Sequence, residues 1–568
     1  MQKEGLDKEY SSMNFLVHNR KPLLFLALLF YLYFRGIGDH GLLDPIEGVN
    51  ASVPLTMLAG GGGFVPRVGN ALCAGKAMGT WWLSAVSLGL LGWGEFSVRF
   101  WPALAGLGMT LAAVLAVKPA GTSFRTRRCW LTASVSAGTT LGFAVSQIAS
   151  SHALYACCMG FVMAAFVRIG NQPLSQREER GWILLAHAAS LAAFIVHGPE
   201  GILLPWLALL FFSVMTGHSG TLTACMSWWP ATVLSLAGTA GYLLLLWLQN
   251  PLLLRFMFYE SPKFLAPDGK LVLAFLLMGT IPWPGFLIRA VWEAIPRDRD
   301  SFRSDWAGPD FFIVFWMFFF GLFALLMGDL LALGACVPAL AALVGAAFDR
   351  WLEAEAPGDS PADVSPLQIA VALNILILTP LILAGIPLAV KGFPLLKGAL
   401  LSLVPWGLFV MIFLFASWHY ARRTREPEAW YRKMPKLARN GSVLVLLCLM
   451  PLAGVFDLAA VQGGIRPVGL TLRGAVSRGD TIIQYGVHRP SLFFYTLHDY
   501  VLLHSPQLPG VVSGEGIRDD TALHNLWRKK DRAFLLIRQD QRLASPLPDD
   551  VHSVAEAGGM LLLSNRSN

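Results

Sequence analysis

Long apolar segments recur from the start of the chain to about residue 461, and the loops between them alternate between basic and nearly uncharged. A helix of about 20 apolar residues is long enough to cross the hydrocarbon core of a bilayer. The apolar segments predict spans near 15–34, 101–118, 130–148, 153–168, 182–196, 201–216, 228–248, 271–291, 311–327, 331–348, 367–390, 399–418 and 442–461. The sequence therefore predicts an α-helical polytopic membrane protein with about 13 transmembrane helices.

The composition excludes an ordinary soluble protein. Hydrophobic residues make up 55% of the chain and charged residues only 14%, whereas a soluble domain carries about 25% charged residues. The formal net charge of +8 would also suit a protein that binds nucleic acid. Most basic clusters, however, lie between the apolar segments, where they can contact the anionic lipids of the inner leaflet. We therefore expect the lipid bilayer as a partner, and no nucleic acid.

The basic loops indicate how the chain is oriented in the membrane. They are Arg125–Arg128, Arg168–Arg180, Arg297–Arg303 and Arg422–Arg439. Because basic loops stay in the cytoplasm, we expect a multi-pass inner-membrane protein with a cytoplasmic N-terminus and a periplasmic C-terminal region. Pro22–Phe34 is not followed by a small-residue cleavage site, so we expect it to remain in the protein as part of the first span.

The long stretch 35–100 then lies outside the cytoplasm as a first external loop. It contains the apolar segment Ala77–Trp93, which could be counted as a further span. If it were a span, every later basic loop would lie outside the cytoplasm. We therefore interpret this segment as an interfacial helix, with Trp81, Trp82 and Trp93 at the level of the lipid headgroups.

The composition becomes mixed and more polar after the last predicted span. This divides the chain into a transmembrane domain at 1–461 and an extracytoplasmic soluble domain at 462–568. Asp480–Tyr485, Ser491–Thr496 and Ala533–Arg538 have the composition of short strands. We therefore predict a small C-terminal α/β domain.

The seven cysteines favour buried thiols rather than a disulfide framework. Most of them lie in or beside apolar segments, and none has the spacing of a metal site. The C-terminal domain contains none.

The first external loop carries polar, aromatic and glycine residues in a recognisable order. They are Leu43-Asp44-Pro45-Ile46-Glu47-Gly48, Phe64-Val65-Pro66-Arg67-Val68-Gly69, Lys76, Trp82, Gly92-Trp93-Gly94-Glu95-Phe96 and Arg99. This series resembles the first external loop of GT-C glycosyltransferases of the aminoarabinose-transferase and protein O-mannosyltransferase type. The family pattern runs approximately D-P-D-E-G-R-Y, W-x-V-P-x-x-N-G, E-K-P-P-L, W and F-G-x-S-E-F-x-x-R.

Later segments resemble the same family in order and spacing. They are His197-Gly198-Pro199-Glu200-Gly201, Phe258-Tyr259-Glu260 before Lys263-Phe264, Pro282-Trp283, and Arg489-Pro490-Ser491-Leu492-Phe493-Phe494-Tyr495-Thr496. The family counterparts are T-K-G-P-x-G, E-H before R-F, P-W, and R-P-S-L-x-F-Y-x. The resemblance covers nearly the whole chain and implies a fold of the GT-C type.

The resemblance also implies an activity. Members of this family take a sugar from a polyprenyl-phosphate carrier and transfer it, with inversion, to a lipid, glycan or protein acceptor outside the cytoplasm. A carboxylate would accept the proton of the acceptor hydroxyl, and positive groups would stabilise the departing phosphate. The chain would then be a hexosyl- or pentosyltransferase. No cofactor is certain from the resemblance, and a divalent metal is left open.

Several family positions hold a different residue in this chain. The replacements are Ile46 for Asp, Val49 for Arg, Asn50 for Tyr, Gly75 for Glu, His197 for Lys and Ser261 for His. The acid that opens the fourth span in the family is replaced within Ser151–Tyr155, and a basic residue expected near Met327–Leu331 is absent, with Asp329 nearby. The polar cluster of the family is therefore thinned, but it is not empty.

Glu47 and Asp44 are the candidate catalytic carboxylates, three residues apart in the external loop. The alternative is an acid pair that caps a helix or faces solvent. Lys76 is the candidate for binding the lipid phosphate or a carboxylate. The alternative is a lysine that snorkels to the membrane interface.

Further candidates for binding the substrate or the lipid phosphate are His197, Glu200, His152 and Glu260. His197 and Glu200 lie at an external break between two spans, where an ionisable residue indicates a site. A Gly-Pro hairpin with solvated polar residues is the alternative. If one site exists, these residues should converge with Glu47, Asp44 and Lys76 on a cavity above the membrane plane.

Three functions are compatible with these features. The first is a membrane glycosyltransferase that uses a polyprenyl-phosphate-linked sugar. The second is a non-catalytic relative with the same fold that acts as a lipid-binding or assembly subunit. The third is a transporter, which the absence of internal repeats in the sequence disfavours.

Overall fold

The computed structural model of the protein describes most of the transmembrane region and much of the C-terminal region. The described residues are 23–59, 65–68, 71–73, 78–119, 121–124, 126–171, 173–259, 279–297, 308–354, 366–392, 464–506, 511–512, 520–528, 532–541 and 551–566, with a few isolated positions between 401 and 412.

Helices dominate the described chain before residue 464. They are α1 (Leu23–Phe34), α2 (Ile46–Leu58), α3 (Gly79–Leu91), α4 (Glu95–Val117), α5 (Arg127–Ala137), α6 (Thr140–Gln147), α7 (Ser151–Asn171), α8 (Gln176–His197), α9 (Glu200–Thr216), α10 (Gly220–Ser227), α11 (Trp229–Gln249), α12 (Pro251–Tyr259), α13 (Pro284–Ala294), α14 (Pro309–Met327), α15 (Val337–Ala354) and α16 (Pro366–Gly392), with a 3-10 helix at Leu330–Cys336. Among the described residues, six helical segments are long and apolar enough to cross a membrane: α4, α7, α8, α11, α14 and Leu330–Glu353. The protein is therefore a polytopic α-helical membrane protein, as predicted.

The segment Leu330–Glu353 lies at the centre of the bundle. Of its apolar window 78% is buried by the rest of the protein, whereas the corresponding share for α11 is 22%. Glycines let the central helices approach each other closely. A Cβ atom at Gly345 would lie 2.2 Å from the Thr132 side chain, and one at Gly160 would lie 2.9 Å from Ala112. Small residues are the usual means by which membrane helices pack.

Two predicted spans differ from the observed helices. The span predicted at 130–148 is two helices, α5 and α6, separated at Gly138 and Thr139. At this break the backbone N–H and the hydroxyl of Thr140 both donate to the carbonyl of Ile281, each at 3.0 Å. The span predicted at 331–348 begins as a 3-10 helix before it continues as α15.

The number of spans stays a prediction. The spans predicted at 399–418 and 442–461 lie almost entirely outside the described residues, and the one predicted at 271–291 is described only from residue 279.

The loop 35–100, which is predicted to be external, contains α2, α3 and the short strands β1 (Arg67–Val68) and β2 (Ala71–Cys73). Helix α3 has 13 residues, which gives a length of about 20 Å. A bilayer core of about 30 Å is too thick for such a helix to cross. The tryptophans of this loop differ from one another. Trp93 is 39% exposed, but Trp81 is buried and its indole N–H donates to Asn50 at 2.8 Å, so Trp81 packs inside the protein rather than at a lipid headgroup.

The C-terminal region is an α/β unit. Its helices are α17 (Arg466–Ala475), α18 (Ser491–Thr496) and α19 (Asp520–Trp527), and its strands are β3 (Thr481–Tyr485), β4 (Tyr500–Leu503), β5 (Val511–Val512), β6 (Ala533–Arg538), β7 (His552–Ala557) and β8 (Met560–Ser564). A five-stranded sheet has the order β4-β3-β6-β8-β7, with β3 parallel to β4 and β6 and the remaining pairs antiparallel.

Side chains alternate between two cores on the faces of this sheet. Ile482 faces the core that includes Leu472 of α17, whereas Ile483 faces the core that includes Trp527 of α19. The central strand β6 is buried along nearly its whole length, as expected for a strand covered on both sides. The strands predicted at 480–485 and 533–538 are confirmed.

The strand predicted at Ser491–Thr496 is wrong, because this segment forms the helix α18. Its aromatic residues have a high strand propensity, but tertiary packing overrides it. The helix buries all six residues and places Phe494 edge-on to Trp93 at a centroid distance of 6.2 Å.

The C-terminal region is joined to the first external loop. Strand β5 pairs with β2 in an antiparallel three-stranded sheet, and Arg466 forms a 3.2 Å ion pair with Glu95. Ion pairs also mark the other end of the bundle, where Arg127 and Arg128 both bind Asp349 at 2.6 and 3.1 Å. The C-terminal region therefore lies at one end of the helical bundle, and the basic residues Arg127 and Arg128 lie at the other end.

Candidate functional site

Glu47 forms a fully buried ion pair with Arg99. The guanidinium donates through Nε to one carboxylate oxygen at 2.8 Å and through a terminal nitrogen to the other at 2.6 Å, and both side chains are 0% exposed. The remaining guanidinium N–H groups donate to the carbonyls of Ile37, His40 and Gly41 at 2.8–2.9 Å. Arg99 thereby holds the loop before α2 against α4.

The carboxylate of Glu47 has two more donors. The backbone N–H groups of Leu43 and Ala149 lie 2.8 and 2.7 Å from its oxygens. Burial by itself raises the pKa of Glu47, but the charge of Arg99 and these hydrogen bonds outweigh burial and hold the pKa below its usual value. A general base needs a lone pair directed at the acceptor proton. The contacts of Glu47 fit a brace between α2, α4 and the segment before α7 better than a base.

Asp44 has a different environment. Its carboxylate accepts hydrogen bonds from the backbone N–H of Ser491, at 3.0 Å, and from the Ser491 hydroxyl. Burial raises the pKa of Asp44 to about 6, although the two bonds from Ser491 act in the opposite direction. A carboxyl group with a pKa near neutrality can both accept and release a proton at physiological pH.

Lys76 and Glu260 lie outside the described residues. Their predicted roles in binding the lipid phosphate stay predictions.

His152, His197 and Asp329 converge in a buried cluster. One ligand atom from each lies within 4.8 Å of the other two. Nε2 of His152 is 3.0 Å from a carboxylate oxygen of Asp329, and the two imidazole rings are edge-on at 5.1 Å. Nδ1 of His152 is 3.2 Å from the hydroxyl of Ser150, and Nδ1 of His197 is 2.9 Å from the hydroxyl of Ser151.

Helix ends bring these residues together. His152 lies in the first turn of α7, His197 is the last residue of α8, and Asp329 accepts from the N–H of Ala332 at the start of the 3-10 helix. Because the chain reverses direction between these helices, the polar side chains at their ends lie at the same end of the bundle. Ala149 links this end to the Glu47 brace, because its carbonyl also accepts from the side chain of Asn50 at 2.9 Å.

Glu200 and Tyr155 border the cluster. The ring of Tyr155 stacks on His197 at 4.3 Å, and its hydroxyl interacts electrostatically with both Glu200 and Asp329. One carboxylate oxygen of Glu200 is buried and has no hydrogen-bond partner among the residues that the structure describes. The structure thus brings together the predicted residues His152 and His197, and it places Glu200 near Tyr155 at the border of the cluster.

The sequence pattern did not identify the partners of these residues. Arg99 and Ser491 both occur in the motifs but were not predicted to bind Glu47 and Asp44. An arginine inside an apolar helix is a signal for a buried partner. The bond of Asp44 to Ser491 joins positions 447 residues apart, which single-sequence reasoning cannot find.

Comparison with known proteins bears on the fold. No protein-family model matches the chain. Two curated relatives are named undecaprenyl phosphate-alpha-4-amino-4-deoxy-L-arabinose arabinosyl transferase. The one from Shewanella sediminis is 25% identical over 274 residues, which are 46% of this chain and 48% of the relative. The one from Edwardsiella ictaluri is 26% identical over 426 residues, which are 71% of this chain and 73% of the relative. The chain thus spans about half the length of the first relative and nearly three quarters of the second.

Two crystal structures of ArnT from Cupriavidus metallidurans have the same fold. The apo structure aligns with a TM-score of 0.79, and the structure bound to undecaprenyl phosphate aligns with a TM-score of 0.75. In each case the alignment covers 97% of this chain and 98% of the other at 17% identity. The chain therefore has the fold of ArnT over nearly its whole length, and in sequence and fold it resembles the GT-C glycosyltransferases.

Proposed function

We propose that this protein is a membrane glycosyltransferase that moves a sugar from a polyprenyl-phosphate carrier to an acceptor hydroxyl or amine on a lipid, glycan or protein. The observation that carries the proposal is the agreement between two facts. The fold matches ArnT over 97% of the chain, and polar and ionisable side chains cluster where the external loop, the C-terminal region and the helix ends meet.

The relatives support the class of donor. Both are named for a sugar linked to undecaprenyl phosphate, and one ArnT structure was solved with undecaprenyl phosphate bound. We infer the same class of carrier here. The sugar and the acceptor of this chain are not implied by the relatives' names.

An apolar groove supports a polyprenyl tail. It has a volume of about 760 Å³, lies along α1, α4 and α7, and includes Leu29, Leu104 and Trp130 in its lining. Its lining also includes Cys129 of α5 and Leu154 of α7. A long, flexible hydrocarbon chain gains free energy by leaving water for such a surface.

Asp44 is the group we propose as the base. The acceptor oxygen or nitrogen would attack the anomeric carbon while the bond from that carbon to the phosphate oxygen breaks. The acceptor proton would pass to Asp44, and the electron pair of the broken bond would leave with the polyprenyl phosphate. With its pKa raised to about 6, Asp44 is ionised at neutral pH and is more basic than an ordinary aspartate.

The non-catalytic alternative is less favoured. The observation in its favour is that Ile46, Val49 and Gly75 stand where the family has charged residues. However, His197, which stands in place of a family lysine, takes part with Asp329 in a buried polar cluster rather than in apolar packing. Buried polar groups cost free energy unless they are partnered, and a lipid-binding subunit would have no need to keep them at this point.

A transfer assay distinguishes the glycosyltransferase from the non-catalytic assembly subunit. The purified full-length protein would be incubated with undecaprenyl-phosphate-linked aminoarabinose, hexoses and pentoses, together with membrane lipid, glycan and peptide acceptors. Labelled product in at least one combination, absent with heat-treated protein, supports the transferase. Binding of undecaprenyl phosphate without any transfer across the panel would favour the assembly subunit.

We also propose that the end bearing the C-terminal region faces the periplasm. Support comes from the basic end of the bundle, where Arg127 and Arg128 lie, because basic ends stay in the cytoplasm. A membrane-impermeant thiol reagent added to intact cells should label Ala59→Cys and leave Gln176→Cys unlabelled, since both positions are exposed at opposite ends. The reverse pattern would invert the topology.

A further inference from the structure

The His152–His197–Asp329 cluster has the composition and spacing of a metal site. Two imidazoles and one carboxylate approach each other from three separate helix ends, with one ligand atom of each within 4.8 Å of the others. We propose that these three residues bind one divalent transition-metal ion of the Zn²⁺ type.

The distances suit coordination after small side-chain rotations. Zn²⁺ binds imidazole nitrogen and carboxylate oxygen at about 2.0–2.2 Å, so neighbouring ligand atoms in a tetrahedral site lie about 3.2–3.5 Å apart. The pair formed by His152 and Asp329 is already separated by 3.0 Å. Sites with two histidines and one acid are typical of zinc that keeps a coordination position open for a substrate or water.

Two consecutive serines supply the second interaction that metal-binding histidines need. A histidine ligand usually bonds through its other ring nitrogen to an oxygen, which sets the tautomer and the orientation of the ring. Here Ser150 contacts Nδ1 of His152, and Ser151 contacts Nδ1 of His197. Both rings therefore have Nδ1 engaged by a hydroxyl, and Nε2 is the ligand nitrogen on each.

Glu200 provides an independent observation. One of its carboxylate oxygens is buried without a hydrogen-bond partner among the described residues. It shares Tyr155 with Asp329 as an electrostatic neighbour, and that tyrosine stacks on His197. A carboxylate oxygen that is buried without a partner costs free energy, and a cation bound in the neighbouring cluster would offset part of this cost.

The charge of the ligand set suits a divalent ion. With two neutral imidazoles and Asp329 as ligands, such an ion keeps one net positive charge. The competing arrangement is a protonated His152 in an ion pair with Asp329, which needs no metal. The two arrangements differ in whether the protein takes up metal, so they can be separated by experiment.

The metal would have a further role that rests on the proposed function. His197 stands where the resembled family has a lysine, and Asp329 lies near a position where it has a basic residue. A divalent ion held here would supply positive charge for a departing phosphate.

Metal binding is tested without reference to transfer. The full-length protein in detergent, stripped with a chelator, would be titrated with Zn²⁺ by calorimetry and with Co²⁺ by visible absorption. We expect one ion per chain, with the d–d bands of tetrahedral nitrogen and oxygen coordination and no thiolate charge-transfer band. His152→Ala and His197→Ala should each weaken Zn²⁺ binding by at least about 100-fold, because each removes a ligand rather than an outer hydrogen-bond partner of a ligand, whose loss costs about 10–100-fold.

The matched control is His187→Ala. His187 is another buried histidine of α8, and its Nε2 lies 3.3 Å from the carbonyl of Cys225, away from the cluster. This variant should bind Zn²⁺ like the unmodified protein. Because a cluster variant could fail to fold, the unmodified protein also provides a test, since saturating Zn²⁺ should raise its melting temperature.

Three results would overturn the proposal. They are no saturable Zn²⁺ binding at micromolar concentrations, equal binding by the cluster variants and the control, or a thiolate band that assigns the ion to cysteines. Binding of Zn²⁺ without any effect on undecaprenyl phosphate affinity would leave the metal site intact and remove only the phosphate role.

Discussion

Two buried polar clusters lie at the same end of this bundle, and their hydrogen bonding differs. The Glu47–Arg99 pair is saturated, because every guanidinium N–H and both carboxylate oxygens have partners within 3 Å. The His152–His197–Asp329 cluster borders a Glu200 oxygen with no partner among the described residues. A buried ion pair whose hydrogen bonds are all made stabilises the fold, whereas a buried oxygen without a partner favours a ligand bound nearby.

This comparison changes the interpretation of Glu47. From the sequence it was a candidate general base, together with Asp44. Its burial and its ion pair fit a bracing role, while Asp44 has a raised pKa and, within the part of the chain that the structure describes, is bonded to Ser491. We therefore propose that Glu47 braces the fold and that Asp44 acts as the base.

The largest expected effect is on stability, from breaking the brace. Arg99→Leu leaves the Glu47 carboxylate buried without its charge partner, and Glu47→Gln does the same to Arg99. Breaking a buried pair from one side costs about 3–5 kcal/mol in the free energy of unfolding. Thermal unfolding of the purified proteins should show a large loss for both variants.

The control for the brace is an exposed pair. Arg538 and Asp540 are 54% and 69% exposed and 3.2 Å apart, so Arg538→Ala should leave the melting temperature nearly unchanged. A Glu47→Gln protein that melts like the unmodified protein but has lost turnover would restore Glu47 as a base.

The next effect is on turnover at Asp44. Asp44→Asn removes the proposed base and keeps a similar shape, so kcat should fall by about 10²–10⁴-fold. The matched control is Asp540→Asn, an exposed aspartate of the C-terminal region, which should transfer at the normal rate. A normal kcat for Asp44→Asn would place the base elsewhere.

The same proposal predicts a pH profile. A base with a pKa of about 6 is protonated below that pH, so kcat/KM should fall about tenfold per pH unit below 6. A profile that is flat between pH 5 and 7 would contradict the assignment.

A smaller loss of stability is expected where the C-terminal region packs against the loop 35–100. The hydroxyl of Tyr495 accepts from the N–H of Leu42 at 2.9 Å and donates to Glu95 at 3.2 Å. Tyr495→Phe leaves this buried N–H unpaired, which costs about 1–3 kcal/mol. Limited proteolysis of the C-terminal region should become faster. Thr471→Ala, on the exposed face of α17, should behave like the unmodified protein.

The smallest effect is the dependence of stability on pH. The folded-state pKa of Asp44 is about 6, and the unfolded value is about 3.9. The folded protein therefore binds this proton more tightly, and its free energy of unfolding falls as pH rises from about 4 to 6. The melting temperature of the unmodified protein minus that of Asp44→Asn should therefore fall over that range. A value that rises with pH would contradict the raised pKa.

The length of the apolar segments was enough to predict these membrane helices, because an apolar segment of sufficient length has few other stable environments. The helices α4, α7, α8, α11 and α14 lie close to their predicted positions. The break between α5 and α6 was not predictable, since the carbonyl of Ile281 that receives the Thr140 bonds comes from a distant segment. The same holds for Ser491–Thr496, where burial against the external loop selected helix over the local strand preference.

The sequence by itself determined the class of protein, the alternation of basic and neutral loops and the set of ionisable residues from which a site could be built. These properties follow from the residues one segment at a time, because the cost of placing charge in hydrocarbon depends on local composition. Only the tertiary structure decided which ionisable residues are partners. It paired Glu47 with Arg99 and Asp44 with Ser491, and it assembled His152, His197 and Asp329 from three helix ends. Saturation of a buried carboxylate depends on donors brought from distant parts of the chain, so packing, and not sequence spacing, separates a brace from a binding site.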